Sequence, residues 1–229
     1  MYNEIWVVAT LLFVYGSLVL FHKIFGKAGL MAWIPMSAIV SNILVLMQYT
    51  AFGLRLSGGA LIFSTSFLAT DILSECYGTK YATKAVWMGF TCLCFYTVLT
   101  QLVLMLTPNE LFKWGDNLEA LLGINIRISI ASISMFLVAN LADVYLYSAI
   151  NKWTKGRAMW LRNNVATMVT NIAENMLFMI IGFYGIWTVS ECIQQTYHSS
   201  IGEFVLALFD TPFLYAAVRS FKKKAVVVA

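Results

Sequence analysis

Charged side chains are scarce in this sequence. They make up 11% of 229 residues, where a water-facing domain carries about a quarter. That shortage excludes an ordinary soluble fold, because the surface would lack groups to hydrate. Histidine is rarer still, with His22 and His198 alone, and the four cysteines (Cys76, Cys92, Cys94, Cys192) show no CxxC spacing. No metal set can be assembled from them, so the cysteines read as buried single thiols. No GxxxxGK[ST] loop is present, which excludes ATP hydrolysis by that route. A nucleophile paired with a histidine is also missing, since both histidines sit near span ends, so no enzyme and no cofactor are expected. The opening Met1-Tyr-Asn-Glu4 lacks the basic region of a signal peptide, and no small-residue cleavage site follows. The first apolar run therefore reads as a retained span.

What the chain has in abundance is apolar sequence, 60% of its residues. Runs of this kind are long enough to cross a hydrocarbon layer of about 30 Å as helices. They lack the alternation of barrel strands, and backbone amides in lipid must be satisfied internally, so helices are expected. Seven segments emerge: 4–25, 30–52, 59–77, 83–106, 125–150, 161–187 and 199–221. The expected fold is an all-α polytopic membrane bundle of six or seven helices in one domain, 1–229. Its third segment, short and polar, is open to a re-entrant reading. The stretch 107–124, with Pro108, reads as an interfacial loop.

Net charge is +4, but the basic residues lie at span ends rather than in one patch, so no nucleic-acid partner is expected. Their distribution is lopsided. Lys23, Lys27, Lys80, Lys84, Lys152, Lys155, Arg157, Arg162, Arg219, Lys222, Lys223 and Lys224 fall on one side, twelve of the 15. Arg55, Lys113 and Arg127 fall on the other, together with Glu4, Glu110, Asp116, Glu119 and Glu191. By the positive-inside rule the N-terminus faces out and the C-terminus faces the cytoplasm.

Charges within spans cost at least about 2.5–3.5 kcal/mol each, so they normally face a bundle interior or a wet cavity. In the third segment Ser64, Asp71, Ser74 and Glu75 share one helical face. Asp71 and Glu75 are like charges four residues apart, unfavourable unless one is protonated or a cation or donor intervenes. In the sixth, Asn164, Thr167, Asn171, Glu174 and Asn175 form one stripe while Met176, Leu177 and Ile180 face elsewhere. Glu203 and Asp210 share a face of the seventh; Arg127 and Asp143 lie on the fifth, and Asn42 on the second. Ser129, Ser132, Ser134 and Thr170 read as interhelical glue. Carboxylates are poor glue in lipid, so Asp71, Glu174 and Asp210 point to function. Most of the 16 Phe, 11 Tyr and 7 Trp read as packing and interface anchors.

The string Phe63-Ser-Thr-Ser-Phe-Leu-Ala-Thr-Asp71-Ile-Leu-Ser-Glu75-Cys-Tyr77-Gly78 resembles the signature of the queuosine-precursor transporter family, also known as a vitamin uptake transporter family. Arg127-Ile-Ser-Ile-Ala-Ser132 with Asp143, Trp160-Leu-Arg162-Asn163 through Asn171-Ile-Ala-Glu174-Asn175 to Phe178, and Asp210-Thr-Pro212-Phe-Leu-Tyr215 fit the same pattern. Glu174 stands where an aspartate is common, and a lysine usual at the start of the last helix is missing near Gly202. The resemblance implies import of 7-deazaguanines, such as queuine, preQ0 or preQ1, across a bacterial cytoplasmic membrane. A carboxylate can accept the two adjacent N–H donors of a guanine-like face, and a basic amine on the ligand favours a second acid. On that basis Glu174 with Asn171 and Asn175 is expected to hold the base, with Asp71 or Asp210 near the amine. The full candidate substrate-binding set adds Asn42, Glu75, Arg127, Asp143 and Glu203. A secondary transporter or facilitator is expected first, and a substrate-capture subunit of an ATP-driven vitamin uptake system is the alternative. Partners are the base and the bilayer, with homodimerisation left open.

Overall fold

The computed structural model describes residues 2–45, 47–109, 115–123, 126–183, 185 and 188–228, apart from the side chains of 116, 117, 120, 121, 126–128 and 224–228. The first helix, α1, is Tyr2–Leu44, 43 residues. A straight helix of that length would run about 65 Å, twice the hydrocarbon thickness. It does not run straight. Gly26 takes φ 58°, ψ −134°, a conformation open to a residue without Cβ. The Phe21 and Trp33 rings on either side come within 5.2 Å, although twelve residues of continuous helix would hold them about 18 Å apart. The two halves thus lie side by side, and Gly29 permits it: a Cβ there would meet the Phe21 carbonyl oxygen at 2.6 Å.

The second half of α1 stops at Leu44, earlier than the expected end at 52. Strands β1 (Gln48–Ala51) and β2 (Leu54–Ser57) follow as an antiparallel hairpin, with Gln48 opposite Ser57 and Ala51 opposite Leu54. The turn residues Phe52 and Gly53 both have positive φ, 52° and 74°. That is the twist a two-residue hairpin needs. The ladder satisfies backbone groups that a helix ending there would leave open.

Helix α2, Gly58–Cys76, starts on a cap in which Ser57 Oγ accepts from Gly59 N at 3.1 Å. It is one unbroken helix of 19 residues. Residues 65–73 are buried on every side, because α2 packs against both α1 and the later helices. A central helix shielded in this way can carry polar residues that a lipid-facing span could not. Helix α3 is Thr79–Leu104. The expected interfacial loop contains a short helix, α4, Gly115–Leu122. Helices α5 (Ile126–Trp153), α6 (Met159–Phe183) and α7 (Val189–Val228) complete the bundle. Helix α7 begins ten residues before the expected 199 and holds Pro212 within it.

Among the described residues five helices are long and apolar enough to cross a membrane: α1, α3, α5, α6 and α7. With α1 folded into two and α2 at the centre, the bundle holds seven long helical segments, in keeping with the six or seven expected. Large apolar side chains such as Phe13, Phe95, Leu102, Ile172 and Met176 are exposed on the outside of the bundle, as lipid-facing positions require. Its two ends differ. At one, Asn3 Nδ2 donates to the Thr50 carbonyl at 2.8 Å and Phe52 N donates to Glu4 Oε1 at 3.3 Å, tying the N-terminus to the hairpin. At the other, His22 and Tyr77 make a 3.2 Å hydrogen bond beside the Phe221 ring.

Candidate functional site

A cavity of about 870 Å³ occupies the hairpin half of the bundle, within the size range of small-molecule sites. Each wall comes from a different element. The second half of α1 supplies Ser41 and Asn42, the hairpin Gln48, Tyr49 and Arg55, α2 Phe63, and α5 Ser132 and Phe136; α6 supplies Glu174, Asn175 and Phe178, and α7 Gln195, Ser199, Glu203 and Phe209.

Its polar groups are concentrated where α6 and α7 face each other. Asn175 Nδ2 donates to Glu203 Oε2 at 2.6 Å and to Ser200 Oγ at 3.4 Å. Glu174, one residue along and within electrostatic reach of Glu203, makes no hydrogen bond among the described residues and lines the cavity. Two acids therefore border one apolar chamber, one orientated by an amide and the other open to a ligand. Across from them Asn42 Nδ2 donates to Ser132 Oγ at 3.3 Å, while its buried Oδ1 has no partner. The buried Tyr49 hydroxyl likewise has none. Burial pushes its phenol up to about 12, so it stays a neutral donor and acceptor at working pH.

Of the candidate residues, Asn42, Glu174, Asn175 and Glu203 are thus brought to one cavity. Asn171 lies about a turn away on α6, buried with its Oδ1 unpartnered, and does not line it. The Arg127 side chain lies outside the described residues. The remaining acids gather in the other half of the bundle, off the cavity wall. Arg162 of α6 pairs with Glu75 of α2 at 2.5 Å, and Tyr147 donates to the same Glu75 oxygen at 3.2 Å. This is the intervening cation that the Asp71/Glu75 spacing calls for. Asn163 Nδ2 donates to Asp210 Oδ1 at 2.8 Å, and Thr167 Oγ1 donates to Asp143 Oδ1 at 3.2 Å. Neither Asp71 oxygen has a partner among the described residues.

Sequence reasoning missed the hairpin's share of the cavity, namely Gln48, Tyr49 and Arg55. The one local signal was Gly53 at the end of an apolar run, too weak alone to mark a hairpin. It also missed Asn163 and Arg162 as the partners of Asp210 and Glu75, since nothing in one chain's spacing pairs residues 47 and 87 positions apart.

Residues 57–217 match the model of a family described as "Putative vitamin uptake transporter". The chain is 32% identical over 216 residues to a protein of Bacillus subtilis (strain 168) named "Probable queuosine precursor transporter", covering 94% of each. A Haemophilus influenzae protein of the same name is 24% identical over 133 residues, 58% of this chain and 54% of its own. No solved structure matches.

Proposed function

This chain belongs to the family described as "Putative vitamin uptake transporter", and from that premise we propose that it imports queuosine precursors, 7-deazaguanine bases, as a secondary carrier or facilitator. The observation that carries the reading is the pair of carboxylates, Glu174 and Glu203, on one aromatic-walled cavity. A 7-deazaguanine presents an N1–H and an exocyclic amino group side by side. One carboxylate accepts both in bidentate fashion, a charge-assisted pairing of fixed geometry. Glu174, with no competing hydrogen bond, takes that role. Glu203, held by Asn175, faces the amine that queuine and the aminomethyl precursor carry. In this geometry Glu203 replaces Asp71 and Asp210 as the amine's partner, because it shares the chamber with Glu174. The flat bicyclic ring stacks among Phe63, Phe136, Phe178 and Phe209.

The protein sits in a bacterial cytoplasmic membrane with its N-terminus and hairpin outside and its C-terminus in the cytoplasm, on the strength of the lysine and arginine bias. It carries its ligand without a chemical step, and the ligand is the free base rather than tRNA.

The test is uptake in a strain that cannot make queuosine. Cells carrying this protein and fed queuine, preQ1 or preQ0 are expected to recover modified tRNA, and cells carrying Glu174→Gln to lose the recovery at limiting base. No recovery with any of the three rejects the ligand assignment. Repeating the assay in cells without an ATP-driven uptake module separates a self-sufficient carrier from a capture subunit.

A further inference from the structure

In the half of the bundle away from the hairpin, three carboxyl groups from three helices lie within electrostatic reach of one another. Asp71 of α2, Asp143 of α5 and Asp210 of α7 are each 0–1% exposed. The charged groups that act most strongly on Asp71 are Asp143, Asp210, Arg162 and Glu75. Arg162 is held by Glu75 through Nη2 and by the Arg157 carbonyl through Nη1 at 3.2 Å, while its buried Nε has no partner among the described residues. Of the other titratable groups here, Tyr147 of α5 is bonded to Glu75, and Tyr15 of α1 to Ser64 at 2.7 Å beside Asp210.

An ionised carboxylate removed from water needs a paired cation or several donors. Asp210 has an amide donor and Asp143 a hydroxyl, but both Asp71 oxygens and Asp143 Oδ2 are buried with no partner. Three such groups cannot all carry charge side by side. A metal ion would neutralise them only if several oxygens converged on it, and among the described residues no group of three or more His, Cys, Asp or Glu is placed to hold one. A proton requires a single oxygen. Asp210 is the next residue along α7 from Phe209, which lines the cavity.

We propose that Asp71, Asp143 and Asp210 form a proton-binding site behind the substrate cavity, loaded from the cavity side and emptied at the end that holds Arg162, so that proton entry accompanies passage of the base. This rests on the transport reading above. The proton adds to the Asp71 carboxylate, giving a neutral acid that can reorganise within the bundle. Its release to water at the far end restores the carboxylate.

The experiment uses the full chain in proteoliposomes with a lumenal pH dye and labelled 7-aminomethyl-7-deazaguanine. An acid-outside gradient is expected to drive accumulation of the base, and adding base is expected to acidify the lumen. Asp71→Asn, which keeps size and removes the titrating group, is expected to exchange labelled for unlabelled base while losing both acid-driven effects. In parallel, infrared difference spectra of the wild type on base binding are expected to carry a protonated-carboxyl band that Asp71→Asn removes; that readout holds even if the variant transports poorly, and Asp210→Asn gives a second test. Wild-type exchange that ignores the acid gradient, accumulation driven by sodium alone, or Asp71→Asn accumulating like wild type overturns the proton site and leaves transport standing. Absence of any exchange overturns the transport reading, and the proton site falls with it.

Discussion

Arg162 is 1% exposed and joins α6 to α2 through Glu75, so its removal tests what the pair contributes. Taking one partner from a buried ion pair costs about 3–5 kcal/mol, mostly the penalty of the charge left behind. Glu75 is 16% exposed in its side chain and retains Tyr147 as a donor, which sets the cost toward the lower end. Arg162→Met is therefore expected to lower the apparent melting temperature in detergent, and Glu75→Gln on that background to recover part of the loss. No recovery would mean that Arg162 acts through packing alone. In the cavity, replacing the Glu174 carboxylate by an amide removes a charge-assisted contact of about 1.5–3 kcal/mol, about ten- to a hundredfold in Kd. Glu174→Gln is expected to weaken every 7-deazaguanine by that factor. Glu203→Gln is expected to weaken only ligands that carry an amine and to spare the nitrile-bearing precursor. Calorimetric titration of purified protein with both ligand types decides this; equal losses for both under Glu203→Gln would refute the division of roles.

The hairpin and α7 meet at Gly202, where a Cβ would come within 2.4 Å of Leu56 Cδ2. A small side chain there would be met by a turn of the Leu56 side chain, whereas a branched, leucine-sized one must also press on β2, which carries Arg55 on the cavity wall. Overpacking of this kind costs about 1–3 kcal/mol, too little to unfold a bundle whose helices pack elsewhere. Gly202→Leu is thus expected to keep wild-type helix content by circular dichroism and to lose most uptake; full uptake would show that the hairpin is not part of the working cavity. The same region shows what the sequence can and cannot convey. The break in α1 was readable, since Gly26 and Gly29 interrupt one long apolar run. The hairpin was not, because each strand has only four residues, and Tyr49, Ala51 and Phe52 look like the tail of the preceding span. The first turns of α7 escaped for a different reason. Ser190, Glu191, Gln194 and Gln195 carry no hydropathy signal, although the backbone there is helical. On α6 the polar stripe was plain: Asn164, Thr167 and Asn171 are buried while Met176, Leu177 and Ile180 are exposed. Which acids share a chamber was not, because Glu174 meets Glu203 and Asp71 meets Asp143 and Asp210 only once the helices pack.

Across the whole molecule, polarity is layered: the hairpin and cavity at one end, the acidic trio behind it, and the basic loops at the other end. Lys23, Lys27, Lys80, Lys84, Lys152, Lys155 and Arg157 lie where the passes reverse at that second end, and Lys222 and Lys223 lie late in α7. Basic residues near span ends are retained in the cytoplasm during insertion, and moving a single charge across a membrane potential costs about 2.3 kcal/mol per 100 mV. So strong a bias is what supports the proposed orientation, with the hairpin outside and the C-terminus in the cytoplasm. A fluorescent protein fused after Ala229 is expected to fluoresce and an alkaline phosphatase at the same point to be inactive. A cysteine placed at Gly53, in a chain whose four native cysteines are replaced, is expected to react with a membrane-impermeant maleimide in intact cells. Labelling only after the cells are opened would invert the molecule. The inversion would reach function as well as topology, because the cavity would then receive its ligand from the cytoplasm, and the same carboxylates would serve an exporter.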